Sequence, residues 1–170
     1  FVANTHDTLL CFSSYGKVYW IKVYRLPRGG RNAKGRPIVN LLPLEKDERI
    51  QAVLPVKEFN DDQFIFMATE TGSVKKTKLS AYSRPMKSGI KAIKLRDGDR
   101  VVNAEITDGT KEIMLFSNYG KSIRFKESDA RPMGRVSQGV RGMRIDKDQK
   151  IISLVVLEEG NILVATDRKS

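Results

Sequence analysis

Cysteine and histidine are nearly absent from this chain: 170 residues hold one of each, Cys11 and His6. A single cysteine cannot form an internal disulfide, and one cysteine with one histidine cannot furnish a tetrahedral zinc site. Cys11 stands inside the apolar run LLCF and reads as a reduced core residue, which fits a cytoplasmic protein. His6 reads as a surface or strand-end residue, and Ser13, Ser14 and Ser170 have no partnering base for nucleophilic chemistry. No apolar run approaches the ~18 residues of a membrane span, and no signal-peptide pattern is visible at the start. The phosphate-loop spacing ending in Gly-Lys-Ser/Thr is missing despite Arg28-Gly29-Gly30-Arg31. The run Asp146-Lys147-Asp148 lacks the glycine and closing glutamate of a calcium loop. Convincing helical periodicity is also wanting. Together these absences argue against an enzyme.

What the chain has is positive charge. Thirty-one Lys and Arg face 20 Asp and Glu, a formal net charge of +11, with a pI near 9.8. Such an excess favours a polyanionic partner, either nucleic acid or an anionic membrane surface. Hydrophobic residues at 40% and charged residues at 30% give an ordinary globular balance, and the length suits about one domain with a real core. The chain opens at Phe1 and stops at Ser170 inside a repeat, so it reads as a fragment of something longer.

That repeat is clearest over residues 112–144, EIMLFSNYGKSIRFKESDARPMGRVSQGVRGMR. An apolar run meets a turn at Gly120, a strand with alternating basic residues follows, and a basic loop leads to Gly139. The same parts occur at TLLCFSSYGKVYWIKV and FIFMATETGSVKKTKL, and NILVAT opens a fourth copy. Hairpin glycines fall at Gly16, Gly72 and Gly120; loop-closing glycines at Gly35, Gly89 and Gly139 follow them by 19, 17 and 19 residues. Acidic turns then precede Arg49-Ile50, Arg100-Val101 and Lys150-Ile151. The units are expected over residues 8–56, 64–107, 112–157 and 161–170. Each is expected to hold about four short strands, residues 38–42 among them. The fold class is all-β and propeller-like: about three four-stranded blades plus the start of a fourth. The runs FIFMA and IMLF are expected to be buried on both faces. A plain β-sandwich is the competing architecture.

The cations share the register. Four and six residues past the hairpin glycine stand Trp20 and Lys22, Lys76 and Lys78, Arg124 and Lys126. Residues two apart on a strand share a face, so a cationic stripe is expected on each unit, with Ile21, Thr77 and Phe125 turned the other way. Five past the loop-closing glycine come Asn40, Lys94 and Arg144. The loops add Arg28, Arg31, Lys34 and Arg36, then Arg84, Lys87 and Lys91, then Arg131, Arg135 and Arg141. A band of this kind suits contacts to a curved phosphate backbone, with little sequence choice. Tyr19, Trp20 and Phe125 read as packing residues rather than stacking platforms.

The segments VANTHDTLLCF, GKVYWIKVYRLP, GRPIVNLLPLEKDERI, FMATETGSVKKT, MLFSNYGKSIRFKES and GVRGMRI resemble the C-terminal domain family of the DNA gyrase A subunit, of gammaproteobacterium-like type. The resemblance covers residues 2–166. It implies a β-pinwheel, a six-bladed relative of the propeller whose blades exchange strands, with a basic perimeter that wraps DNA and supports negative supercoiling. It also implies partners: the N-terminal region of the gyrase A protein and the gyrase B protein, in an A2B2 assembly. It places ATP and Mg chemistry elsewhere, leaving this fragment without a cofactor. The family's signature box, Gln-Arg-Arg-Gly-Gly-Lys/Arg-Gly, would lie ahead of Phe1. Arg28-Gly29-Gly30-Arg31 occupies the analogous loop without completing it. About three blades are expected, with exposed edges that invite self-association. The alternatives are a propeller-type protein-interaction module, an anionic-membrane binder and the related C-terminal domain of the topoisomerase IV A protein.

Overall fold

The computed structural model describes residues 2–30 and 32–158. Arg31 and the expected fourth copy at residues 161–170 lie outside the described residues. Eleven strands follow in order: β1 (Thr8–Ser13), β2 (Lys17–Lys22), β3 (Ile50–Val56), β4 (Phe64–Thr69), β5 (Ser73–Lys78), β6 (Ile90–Lys91), β7 (Val101–Thr107), β8 (Glu112–Ser117), β9 (Ser122–Lys126), β10 (Val140–Arg141) and β11 (Ile151–Leu157). No α-helix occurs among the described residues; short 3-10 turns at Val23–Arg25, Ile38–Asn40, Leu79–Tyr82 and Glu127–Asp129 join the strands. Among the described residues no helix is long and apolar enough to cross a membrane.

Each unit begins with the hairpin its sequence demands. Gly16, Gly72 and Gly120 sit at φ of +73°, +86° and +74°, the left-handed region where a side chain is costly. A hydroxyl recurs before each turn. Ser13, Thr69 and Ser117 accept, through their side chains, the amides of Lys17, Ser73 and Lys121 at 3.1–3.3 Å. That bond fixes the turn, and the turn fixes the register, pairing Phe12 with Val18 and Ala68 with Val74.

The fourth strand of the first and second sheets comes from the next unit. The sheet orders are β3-β1-β2-β6, β10-β5-β4-β7 and β11-β8-β9. Thus β6, from the second unit, completes the first sheet, and β10, from the third, completes the second. Among the described residues the third sheet has three strands. The second and third units thus hold the four short strands expected, three on their own sheet and one given to the preceding sheet, while the first holds three among the described residues. The expected strand at residues 38–42 is a 3-10 turn at Ile38–Asn40 instead, because among the described residues no preceding sheet receives it.

Two of the three core clusters sit between blades; the third, built on Leu9, Cys11, Tyr19, Ile21 and Leu42, belongs to the first unit alone. Leu10, Phe12 and Val18 of the first pack with Ile65, Met67, Ile93 and Val101 of the second. Phe66 and Val74 of the second pack with Ile113, Leu115 and Met143 of the third. Strands β3, β7 and β11 lie side by side at the inner end, so β6 and β10 form the outer edge. Strand β4 is buried on both faces as expected, whereas β8 alternates, Ile113 and Leu115 inward and Met114 and Phe116 half-exposed. Two acids of the turns are clasps. Asp99 accepts the Thr71 amide at 3.1 Å and hydroxyl at 2.7 Å, and Glu48 accepts the buried Tyr19 hydroxyl at 3.0 Å.

Candidate nucleic-acid interface

The second unit departs from the expected cationic stripe. On β5, Lys75 and Lys76 are 0% and 4% exposed. The expectation that Lys76 faces solvent is corrected. The third unit's crossing loop covers it: Met133 donates its amide to the Lys76 carbonyl at 2.9 Å. The Lys76 ammonium donates to the Glu127 carbonyl at 3.0 Å and lies 4.0 Å from its carboxylate. Lys75 points to the opposite face of the strand and donates to the Ala92 carbonyl at 2.5 Å and to that of Arg135. With no carboxylate beside it, burial and the Arg135 charge depress this amine to about 7.

The remaining cations reach the surface in three settings. On the strands, Lys22 is exposed at the end of β2 and donates to the Thr8 hydroxyl at 2.7 Å. Lys78 is exposed at the end of β5, 3.8 Å from Asp61. Arg124 pairs across the hairpin with Glu112, and Lys126 is exposed. On the exchanged segments, Lys91 and Arg141 stand exposed on β6 and β10, the outermost strands, with Lys94 and Arg144 three residues on. In the loops, Arg28, Lys34, Arg36, Arg84, Lys87 and Arg131 are exposed.

Exchange brings loops of different units together. Arg135 is half-buried and donates to the Lys91 carbonyl at 2.8 Å. It shares an open cleft of about 580 Å³ with Ser80, Ser83 and Arg84. Apart from Lys76, only Lys78 and Arg124 of the expected interface make an ion pair among the described residues. The other described cations of that set present unneutralised charge. Sequence reading missed Lys121, which lines a second cleft beside Arg141 and Arg144. The signal was a basic residue directly after the hairpin glycine, present as Lys17 and Lys121. Among the described residues no cluster of His, Cys, Asp and Glu could hold a metal ion.

Three copies of one hairpin plan, linked by exchanged outer strands and rimmed with cations, define a propeller-type repeat domain of the pinwheel kind. Its family follows from comparison. The family model described as the DNA gyrase C-terminal domain, beta-propeller, matches residues 7–57, 63–108 and 111–158, and the chain belongs to that family. The DNA gyrase A protein of Salmonella typhimurium is 55% identical over 166 residues, 97% of this chain and 19% of that protein. Its counterpart from Aeromonas salmonicida is 47% identical over 215 residues, 98% of this chain and 23% of that protein. The chain therefore spans about a fifth of the curated relatives it matches. Among solved structures, the C-terminal domain of DNA topoisomerase IV superposes with a TM-score of 0.85 at 31% identity, over 92% of this chain and 49% of that one. The DNA gyrase A C-terminal domain superposes at 0.73 with 28% identity, over 92% and 50%.

Proposed function

We propose that this domain binds duplex DNA along its basic outer edge and bends it, largely without regard to sequence, in support of negative supercoiling by a DNA gyrase. The observation that carries the reading is the outer-edge cation set. Lys91, Lys94, Arg141 and Arg144 are exposed on or beside the exchanged strands and have no ion-pair partner among the described residues. Repetition at the spacing of the blades suits a phosphate backbone that curves past them. Bending a 20–30 base-pair segment costs roughly 1–6 kcal/mol, which several phosphate contacts offset. The domain carries no chemistry of its own. Cleavage and ATP hydrolysis, with their Mg, belong to the rest of an A2B2 assembly with the gyrase B protein, in the bacterial cytoplasm.

A salt series tests it. Binding to a short duplex is expected to weaken steeply with salt, log K falling linearly with log salt concentration, with scant preference between sequences. Replacing Lys91, Lys94, Arg141 and Arg144 by alanine removes about one unit of slope for each phosphate no longer neutralised. Unchanged slope and affinity in that variant would sink the reading.

A further inference from the structure

Two successive crossings are stitched together on the outer edge. Residues 91–94 of the second unit run beside residues 134–137 of the third unit's crossing loop, and two direct bonds and one bridge join them. The Lys94 amide donates to the Ser137 carbonyl at 3.1 Å, and the Arg135 guanidinium donates to the Lys91 carbonyl at 2.8 Å. Between these bonds the Lys75 amine comes up from β5. It donates to the Ala92 carbonyl at 2.5 Å and to the Arg135 carbonyl. Arg135 is therefore held at both ends, its backbone by Lys75 and its side chain by the arm.

The cleft beside this stitch draws on both units. Ser83 and Arg84 come from the second unit's loop and Arg135 from the third's. Neither guanidinium has a carboxylate partner among the described residues. Arg135 commits one N–H to Lys91, and a guanidinium carries several more. Ser80, also at the cleft, donates its hydroxyl proton to Asp61. That acid lies 3.8 Å from Lys78, so it is already engaged. Two uncommitted guanidiniums and the Ser83 hydroxyl make a donor set suited to a tetrahedral oxyanion, because the planar fork of arginine presents paired N–H groups to phosphate oxygens.

We infer that this cleft is a phosphate seat built by two units, in which Arg84, Arg135 and Ser83 hold one phosphate of the DNA backbone and Lys75 is the positioning residue for Arg135. The seat presupposes DNA as the partner, as proposed above. Its electrostatics couple binding to a proton. Around Lys75, β4 carries no charged residue, β6 carries Lys91, β10 carries Arg141 and the crossing loop carries Arg135. Tyr82, which also feels the Arg135 charge, is pushed up by burial and stays neutral. Of the neighbouring charges Arg135 is the one that lowers Lys75, which burial has already brought down, to about 7 in all. A phosphate on Arg135 offsets that repulsion and raises Lys75 again. Below pH 7 the lysine is charged with or without DNA, and binding moves no proton. Above pH 7 the free domain holds it neutral and the complex protonates it, so affinity falls as pH rises.

Duplex affinity of the 170-residue chain across pH and salt tests this. At fixed low salt, affinity for a short duplex is expected to fall roughly threefold to tenfold between about pH 7 and 8.5. Lys75→Met, with its folding checked by thermal unfolding, is expected to abolish the fall, a change that lost stability alone would not produce. Arg135→Gln, at a half-buried surface position, abolishes it too and removes about one unit of salt slope, and it gives this readout even if Lys75→Met unfolds. In amide spectra the duplex is expected to shift Ser83, Arg84 and Arg135. Inorganic phosphate that shifts these amides while the duplex leaves them unmoved would make the cleft a free-anion site and overturn the inference. A pH fall that survives Arg135→Gln overturns it as well. A chain with no affinity for duplex at low salt defeats the proposed function itself. A chain that binds duplex, with a salt slope unchanged in Arg135→Gln, defeats the seat alone.

Discussion

Glu127 is fully enclosed, and its carboxylate accepts the Thr107 hydroxyl at 2.5 Å and the amides of Gly109 and Lys111 at 3.1 and 3.2 Å. It faces the buried Lys76 ammonium. Replacing it by alanine strands that charge, and urea unfolding is expected to show a loss of about 3–5 kcal/mol. Lys76→Met with Glu127→Leu recovers only the part due to the stranded ammonium, since the Thr107 hydroxyl and the Gly109 and Lys111 amides still lose their acceptor. Lys75 gives a pH signature. Unfolded, this lysine titrates near 10.5; folded, near 7. Above pH 7 the unfolded chain holds the extra proton, so stability rises with pH, by at most about 1.4 kcal/mol per unit. Cys11, pushed up from 9.0 to about 12 by burial, works oppositely once the unfolded thiol begins to ionise. Between pH 7 and 8.5 (roughly, given an ordinary thiol) Lys75→Met is expected to flatten the rise, as read from urea midpoints. None of this was legible in the string VKKTK. Alternation shows which lysines share a face, but not that a loop 50 residues away covers that face. The same alternation placed Lys22, Lys78, Arg124 and Lys126 outward, where they stand.

Strand exchange hides from local sequence pattern for a related reason, and only the family resemblance implied it. The glycine register at Gly35, Gly89 and Gly139 reveals that a segment recurs, and its position in the unit, but not the sheet to which it pairs. Local pattern fixed the hairpins because serine or threonine, glycine and the alternating residues act within ten positions of one another. The partner of β6 or β10 is set by packing between units, which leaves the segment's own composition unchanged. The glycines at these crossings are therefore the sensitive points of the fold. Gly139→Ala combines a φ of +87° with a Cβ 2.4 Å from a carbonyl, and chemical denaturation is expected to register a loss above about 1 kcal/mol. Gly134→Ala, with open space at its Cβ position and no positive φ, is expected to change stability by less than about 1 kcal/mol.

Across the whole molecule, stability runs in one direction along the chain. Each sheet needs the unit that follows it, and each hydrophobic cluster that joins blades spans two units. Deleting residues 109–170 is expected to leave the first sheet complete, because β6 remains, while the second loses β10 and the third-unit half of its core. Hydrogen exchange would show this as amides of β1 and β2 staying protected while those of β5 exchange fast. Equal loss in both sheets would contradict the directional account. The net charge of +11 also belongs to this scale. Repulsion among unneutralised cations on one edge works against compactness, and added salt relieves it. Salt that weakens DNA binding is thus expected to stabilise the free domain.

Because β6 completes β2 from about 70 residues downstream, a chain made from its N-terminus cannot close the first sheet as that unit emerges. The first hairpin must wait, with one edge open, until residue 91 is available, and the second until residue 141. Folding thus trails synthesis by one repeat. The newest unit is always the incomplete one, and the length of the lag is written in the spacing of the glycines.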